Sequence, residues 1–207
     1  MSGDLQFFLD FMSPFAYLAH QRLPSLARRY GRGISYCPID LPAAKRAAGN
    51  SGPPNVKIPV KLRYLVTDMD RWARRYGVPL KFPASLDSGL MNKGLYYAID
   101  RAQEESYARV AWRRSWGEGG DMGDPALLQE VAAELNWDTG EFLGFLHSEE
   151  AGTRFDAGNR RAQELGVFGV PTIRIGDQMW WGNDRLDFLE EYLAQPDLKF
   201  AIQEKVP

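Results

Sequence analysis

Cysteine is almost missing from this chain of 207 residues, and a class of chemistry goes with it. Cys37 is the only one, so the chain can form no intramolecular disulfide, thiolate metal cluster or two-thiol redox centre. It lies in the apolar run Ile34–Ile39, where a buried, inert thiol is expected. No run of about 18 apolar residues occurs, so a membrane-spanning helix is excluded. Asp4 and Asp10 interrupt the N-terminus where a signal peptide would need a basic region and then a long apolar core. With the lone cysteine, this points to a protein of the reducing cytoplasm. Neither sign of charge dominates. A net charge of −2 and an isoelectric point near 5.8 give no electrostatic case for nucleic acid or an anionic membrane.

What is present is globular. Hydrophobic residues make up 44% and charged residues 25%, values of an ordinary folded domain. The length exceeds that of a simple domain and suits a domain with an insertion, large enough to bury roughly 70% of the surface its unfolded form would expose. No internal repeat or low-complexity tract appears. The pattern predicts strand 5–10, helix 14–30, strand 34–39 and a short helix near 42–48. A loop follows at 49–55, where Gly, Pro and Asn cluster. Leu62, Leu65, Met69, Trp72 and Tyr76 recur every three or four residues, an amphipathic helix whose Arg71, Arg74 and Arg75 form its solvated face. Helical patterns continue at 91–116, 125–136, 139–148 and 151–165. A hairpin with Gly176-Asp177 at its tip and a last helix close the chain. Pro24 inside the first helix should kink or split it.

The order β-α-β, a helical stretch, then β-β-α predicts an α/β protein. It is a thioredoxin-like domain in two pieces, 1–45 and 150–207, around an all-helical insert at 46–149 that covers the active site. In redox members of that fold a Cys-x-x-Cys pair opens the first helix. Ser13-Pro14-Phe15 stands there instead, so the sulfur has to come from a bound thiol. Ser before Pro is also a good helix cap, contributing roughly 1 kcal/mol with no function. The position argues for more, because unpaired N–H groups and the helix dipole at such a turn stabilise a thiolate. Ser13 as a nucleophile would need a base within reach. His20 lies seven residues along the same helix, about 10 Å away, and His147 falls in the insert.

Val170-Pro171 fits an ordinary trans turn or a cis bond that leaves the Val170 backbone free to pair with an extended peptide. Gly182-Asn183-Asp184 reads as a helix start with Asn183 or Asp184 as cap, or as N–H groups that hold a ligand carboxylate. Trp180 and Trp181 alternate across a strand, one for the core and one for a pocket wall. Trp112, Trp116 and the loop after them fit an aromatic pocket and a core-anchored helix end equally well. Lys45 alone reads as a solvated side chain.

Several segments together carry a resemblance: Phe8–Leu18, Ile39–Leu41, Gly49-Asn50, Arg71–Ala73, Tyr76-Gly77, Trp116–Gly119, Val167–Thr172 and Met179–Leu186. They resemble the bacterial 2-hydroxychromene-2-carboxylate isomerases of aromatic-hydrocarbon (naphthalene) catabolism, relatives of kappa-class glutathione transferases. The resemblance implies a cytoplasmic homodimer, glutathione as cofactor and a small aromatic carboxylate as substrate. It implies isomerisation to a trans-o-hydroxybenzylidenepyruvate by transient thiolate addition, bond rotation and elimination. Ser13 would contact the glutathione sulfur, and Val170, in a cis Val170-Pro171 unit, would pair with its backbone. Trp181, Gly182, Asn183 and Asp184 would hold its γ-glutamyl end, and Lys45 and Asn55 would face the substrate carboxylate. The chain departs from the pattern at Val56, where a cation is expected, and at Leu86, where an aromatic is expected. Both departures bear on the choice of substrate.

Two other readings remain open. A kappa-type transferase acting on another electrophile is disfavoured by the Trp180–Asp184 block. A non-catalytic glutathione-binding module would need neither Lys45 nor Asn55.

Overall fold

The computed structural model describes residues 4–195. Strand β1 (Leu5–Leu9) is apolar at nearly every position because both faces of its sheet are covered. Phe7 points into the main core, and Phe8 points into a second cluster with Ile39, Ala44, Ala162, Val167 and Val170. Helix α1 (Pro14–Arg29) returns the chain to β2 (Ile34–Pro38), which pairs parallel to β1. The sheet is completed by β3 (Thr172–Ile175) and β4 (Gln178–Trp181), giving the order β2-β1-β3-β4 with both later pairings antiparallel. The β3–β4 loop holds Gly176 and Asp177, and Gly176 supplies the positive φ of 56° such a tight turn requires.

Between the two halves of the sheet run α2 (Leu41–Ala47), α3 (Pro59–Tyr76), α4 (Gly89–Ile99), α5 (Glu104–Trp112), α6 (Pro125–Glu134), α7 (Thr139–Leu146) and α8 (Glu149–Glu164). Helix α9 (Leu186–Ala194) follows β4. The chain is a mixed four-stranded α/β protein, and its main core is continuous from the sheet into α3–α7. The boundaries read from the sequence fall inside α2 and in the first turn of α8. No helix among the described residues is long and apolar enough to cross a membrane.

Two expectations need correction. Helix α1 is not split at Pro24 and runs unbroken past it. Proline there forfeits one backbone hydrogen bond, and burial of Leu23, Pro24, Leu26 and Ala27 on the core side offsets the loss. The run 91–116 is not one helix. Helix α4 ends in a Schellman-type turn, with Gln103 N–H donating to Ala98 C=O at 2.9 Å and Ala102 N–H to Ile99 C=O at 3.0 Å. Ala102 holds the left-handed position, φ 51°, usually given to glycine. The signal that ends a helix is therefore missing from the sequence. After α5 the chain widens into a π-helical turn, Arg113–Gly117, that carries Trp116.

The stripe on α3 is divided. Met69 and Ala73 are buried, and Trp72 and Tyr76 lie against the main core. Leu62 and Leu65, nearer its N-terminus, face a cavity that Met69 also reaches.

Candidate active site

The chain leaves β1, turns at Asp10–Met12 and enters α1 at Ser13, which adopts the extended backbone (φ −90°, ψ 114°) of an N-cap. Its Oγ accepts from Ala16 N–H at 3.3 Å. As the acceptor in that bond, the hydroxyl keeps its own proton free to donate. The Phe15 N–H has no partner among the described residues. A half-satisfied helix N-terminus and a free hydroxyl thus meet at one buried point, an arrangement that favours an anion.

That point opens onto a cavity of about 330 Å³. Its walls come from the Ser13 turn, α2, the 54–56 loop, α3, the 82–86 segment, Trp116, the Gly169-Val170 step and Trp181. Trp116 is fixed by its indole N–H donating to Phe11 C=O at 2.9 Å. Lys45, on the last turn of α2, is the only charged residue in the lining and is half-buried. Burial lowers its pKa, and its ammonium has no hydrogen-bond or ion-pair partner among the described residues. Asn55 opens a short turn at the rim, where its Oδ1 accepts from Lys61 Nζ at 3.3 Å. Val56 and Leu86 also face the cavity, adding apolar surface.

Across from α2, Val170-Pro171 is cis, as expected. Neither the N–H nor the C=O of Val170 has a hydrogen-bond partner among the described residues. Trp180 is buried in the core, whereas Trp181 is 52% exposed and walls the cavity. The Trp181 indole lies directly over Gly169, where an added Cβ would come within 2.7 Å of its Nε1. Gly169 is therefore what allows that close approach.

Five expected site residues, Ser13, Lys45, Asn55, Val170 and Trp181, share this cavity. Gly182, Asn183 and Asp184 do not line it and follow directly after Trp181. Gly182 takes a positive φ of 114° and donates its N–H to Pro171 C=O at 2.9 Å. Neither Asn183 nor Asp184 caps α9, correcting that reading: its N-cap position is Arg185, with no side-chain bond. Asn183 is buried, its Oδ1 accepts from Tyr76 O–H at 3.2 Å, and its Nδ2 has no partner. An orphaned buried donor and two free backbone groups fit an extended peptide-like ligand bearing a carboxylate. Asp184 is exposed and paired with Arg185 at 3.1 Å. The sequence did not reveal the part played by Leu62, Leu65, Met69 and Phe82 in the wall. The helical stripe showed that α3 buries a face, without showing against what.

His20 is not a base for Ser13. Its Nε2 meets Tyr36 Oη at 2.9 Å in the core, beside Trp112. Burial lowers its pKa to about 3, so it stays neutral. This carries a stability signature. Below about pH 6.5 an unfolded chain protonates this histidine and the folded one does not, so stability falls with pH down to about 3. A loss of about 2–3 kcal/mol by pH 4.5 is expected from this residue. Asp10, whose pKa burial raises, acts in the opposite direction, so urea melts of wild type against His20→Gln isolate the histidine. Equal acid sensitivity in the two proteins would reject the assignment. Cys37, half-buried on β2, has its pKa pushed up to about 11 by burial and supplies no thiolate.

Comparison with known proteins agrees with this geometry. Residues 4–194 match the model of the DSBA-like thioredoxin domain. A 2-hydroxychromene-2-carboxylate isomerase from Pseudomonas putida is 47% identical over 92% of this chain and 94% of its own. A solved structure of a 2-hydroxychromene-2-carboxylate isomerase superposes with a TM-score of 0.89 at 47% identity, covering 93% of this chain and 95% of that one. Glutathione S-transferase kappa 2 of Caenorhabditis elegans is more distant, at 25% identity over 98% of this chain and 96% of its own. The chain belongs to the DSBA-like thioredoxin family and, within it, to the 2-hydroxychromene-2-carboxylate isomerases.

Proposed function

We propose that this protein is a glutathione-dependent 2-hydroxychromene-2-carboxylate isomerase. One observation carries the reading. A single apolar cavity joins a free hydroxyl at a helix N-terminus, Ser13, to one unpaired cation, Lys45, and no histidine or carboxylate lines it. Such a site is poorly equipped for proton transfer and well equipped to hold a sulfur anion and a carboxylate at opposite ends of a flat ring system. Once the cyclic hemiketal has opened to its unsaturated α-keto acid, bound glutathione would supply a thiolate for reversible addition to the conjugated double bond, which frees that bond to rotate before the thiolate departs.

The chain's own residues do the rest. Ser13 Oγ–H donates to the sulfur, and the α1 N-terminus favours its charged form. The Val170 N–H and C=O hold the peptide part of the cofactor extended, as an added strand would be held. Trp181 covers it, and Gly182, Asn183 and Asp184 receive its γ-glutamyl end, with Asn183 Nδ2 as a donor in waiting. Lys45, with Asn55 beside it, takes the substrate carboxylate, and Leu62, Leu65, Phe82 and Leu86 keep water off the ring. In this reading residues 4–45 and 150–195 form the glutathione-binding domain and residues 46–149 cover it, the expected ends at 1 and 207 lying outside the described residues. The protein acts as a cytoplasmic homodimer in aromatic-hydrocarbon breakdown.

Turnover of 2-hydroxychromene-2-carboxylate, followed by absorbance, tests this directly. Isomerisation should require glutathione, and S-methylglutathione, which lacks the thiol, should not replace it. Turnover independent of glutathione would overturn the reading. Conjugation of other electrophiles without isomerisation would favour a kappa-type transferase.

A further inference from the structure

Asp10, three residues before Ser13, is buried at 1% exposure, and its carboxylate serves as acceptor in every bond it makes. Oδ1 accepts from Ser88 Oγ–H at 2.5 Å, Asn92 Nδ2–H at 2.9 Å and Met12 N–H at 3.1 Å. Oδ2 accepts from Leu41 N–H at 2.9 Å. Asn92 extends the network, taking Phe11 N–H on its Oδ1 at 3.1 Å and donating from Nδ2 to Ile39 C=O at 3.3 Å. These donors belong to three separate segments. Phe11 and Met12 immediately precede Ser13. Leu41 is the first residue of α2, and Lys45 sits one turn further along it. Ser88 and Asn92 lie at the start of α4.

The pattern suits a carboxylate. Two oxygens meet four donors, and three of them, Met12 N–H, Leu41 N–H and Asn92 Nδ2–H, can only donate. Core packing alone asks for no charge in this place, and an unpaired charge here would be costly. The network spans the two ends of the cavity and joins them at one atom group.

We propose that Asp10 is a positioning residue that locks the Ser13 turn and the Lys45 helix to each other, so that the sulfur end and the carboxylate end of the cavity keep a fixed separation. This rests on the proposed isomerase reading for its functional meaning. Its structural content stands apart from that reading.

Asp10→Asn keeps the shape and places an amide donor against existing donors. Hydrogen exchange tests the coupling without any ligand. Exchange should quicken about tenfold or more at residues 11–13 and 41–45 together, and stay unchanged in α6 and α7. Unchanged rates, or an even rise along the chain, would overturn the proposal. With glutathione and hydroxychromene carboxylate, Asp10→Asn should lower kcat/KM roughly 100-fold, the scale of a small misplacement at a reacting centre. Lys45→Met added to it should then cost less than about threefold more, because the ends are already out of register. Additive losses would show a merely structural residue and overturn the proposal. If Asp10→Asn does not fold, Ser88→Ala removes one donor and decides the same cycle: about tenfold loss and non-additivity with Lys45→Met support it, additivity sinks it. A wild type without glutathione-dependent turnover would defeat the isomerase reading, and the exchange result would still decide the coupling.

Discussion

Replacing Ser13 by alanine is expected to cut isomerisation by roughly 100-fold or more and to leave the fold in place. The two effects have different origins. As a cap, Ser13 contributes one 3.3 Å bond from Ala16 N–H, worth about 1 kcal/mol against a domain stability of roughly 5–15 kcal/mol. For a chain of this length that corresponds to about 2–4 °C in Tm. As the donor to a reacting sulfur it acts where charge is greatest, and loss of one well-placed donor there costs roughly 100-fold or more in rate. Turnover, Tm and the ultraviolet titration of bound glutathione should be measured together. The variant should lose rate, lose little stability and raise the pKa of the bound thiol. Near-normal turnover with a lowered Tm would reduce Ser13 to a cap. Ser13→Cys separates the roles further, since a thiol at a helix N-terminus is set to form a mixed disulfide with glutathione in place of isomerisation.

Lys45→Met should lower kcat/KM for hydroxychromene carboxylate by about 2–3 kcal/mol, or roughly 30- to 150-fold, with almost no change in glutathione affinity. The cause is local. Lys45 is the only charge in the cavity lining and has no partner of its own among the described residues, so removing it breaks no ion pair and leaves the apolar wall intact. Burial already lowers its pKa, and a substrate carboxylate beside it would restore the charged form. Methionine is close in length and volume, so the fold should tolerate it. Isothermal titration with glutathione alongside steady-state kinetics checks the split. Equal loss in both, or in neither, would return Lys45 to a solvated side chain.

The parts legible in the sequence are those with local causes. The short apolar run in residues 5–9, the Gly176-Asp177 tip and the Ser13-Pro14 cap each carry their own signal over a few residues, and the order of elements then specifies the sheet. Ser13, Val170 and Trp181 were legible as candidates from their places in the fold, whereas Lys45 and Asn55 were legible only through resemblance, because nothing local distinguishes Lys45 from a solvated lysine. The illegible parts depend on long-range partners. Asp10 counted in the sequence only against a signal peptide, since its donors lie 2, 31, 78 and 82 residues away in the chain. The break after α4 was hidden because alanine, not glycine, takes the left-handed position. Pro24 misled in the opposite direction, since local cost argued for a break that core burial overrides.

The divided stripe on α3 has a consequence for how this site can change over generations. Its lower part, around Met69 and Ala73, is a keystone, where a smaller side chain would leave a void costing about 2–5 kcal/mol for a change such as Met to Ala. Its upper part, Leu62 and Leu65, meets the cavity and is only partly buried, as is Leu86, while Val56 in the same lining is exposed. Leu62, Leu65 and Val56 do not pack against the main core, so exchanging them one at a time should leave Ser13 and the core in place. Ring preference can therefore drift under selection while the thiol chemistry and the fold stay intact. New ring systems would meet an old reaction behind a replaceable wall.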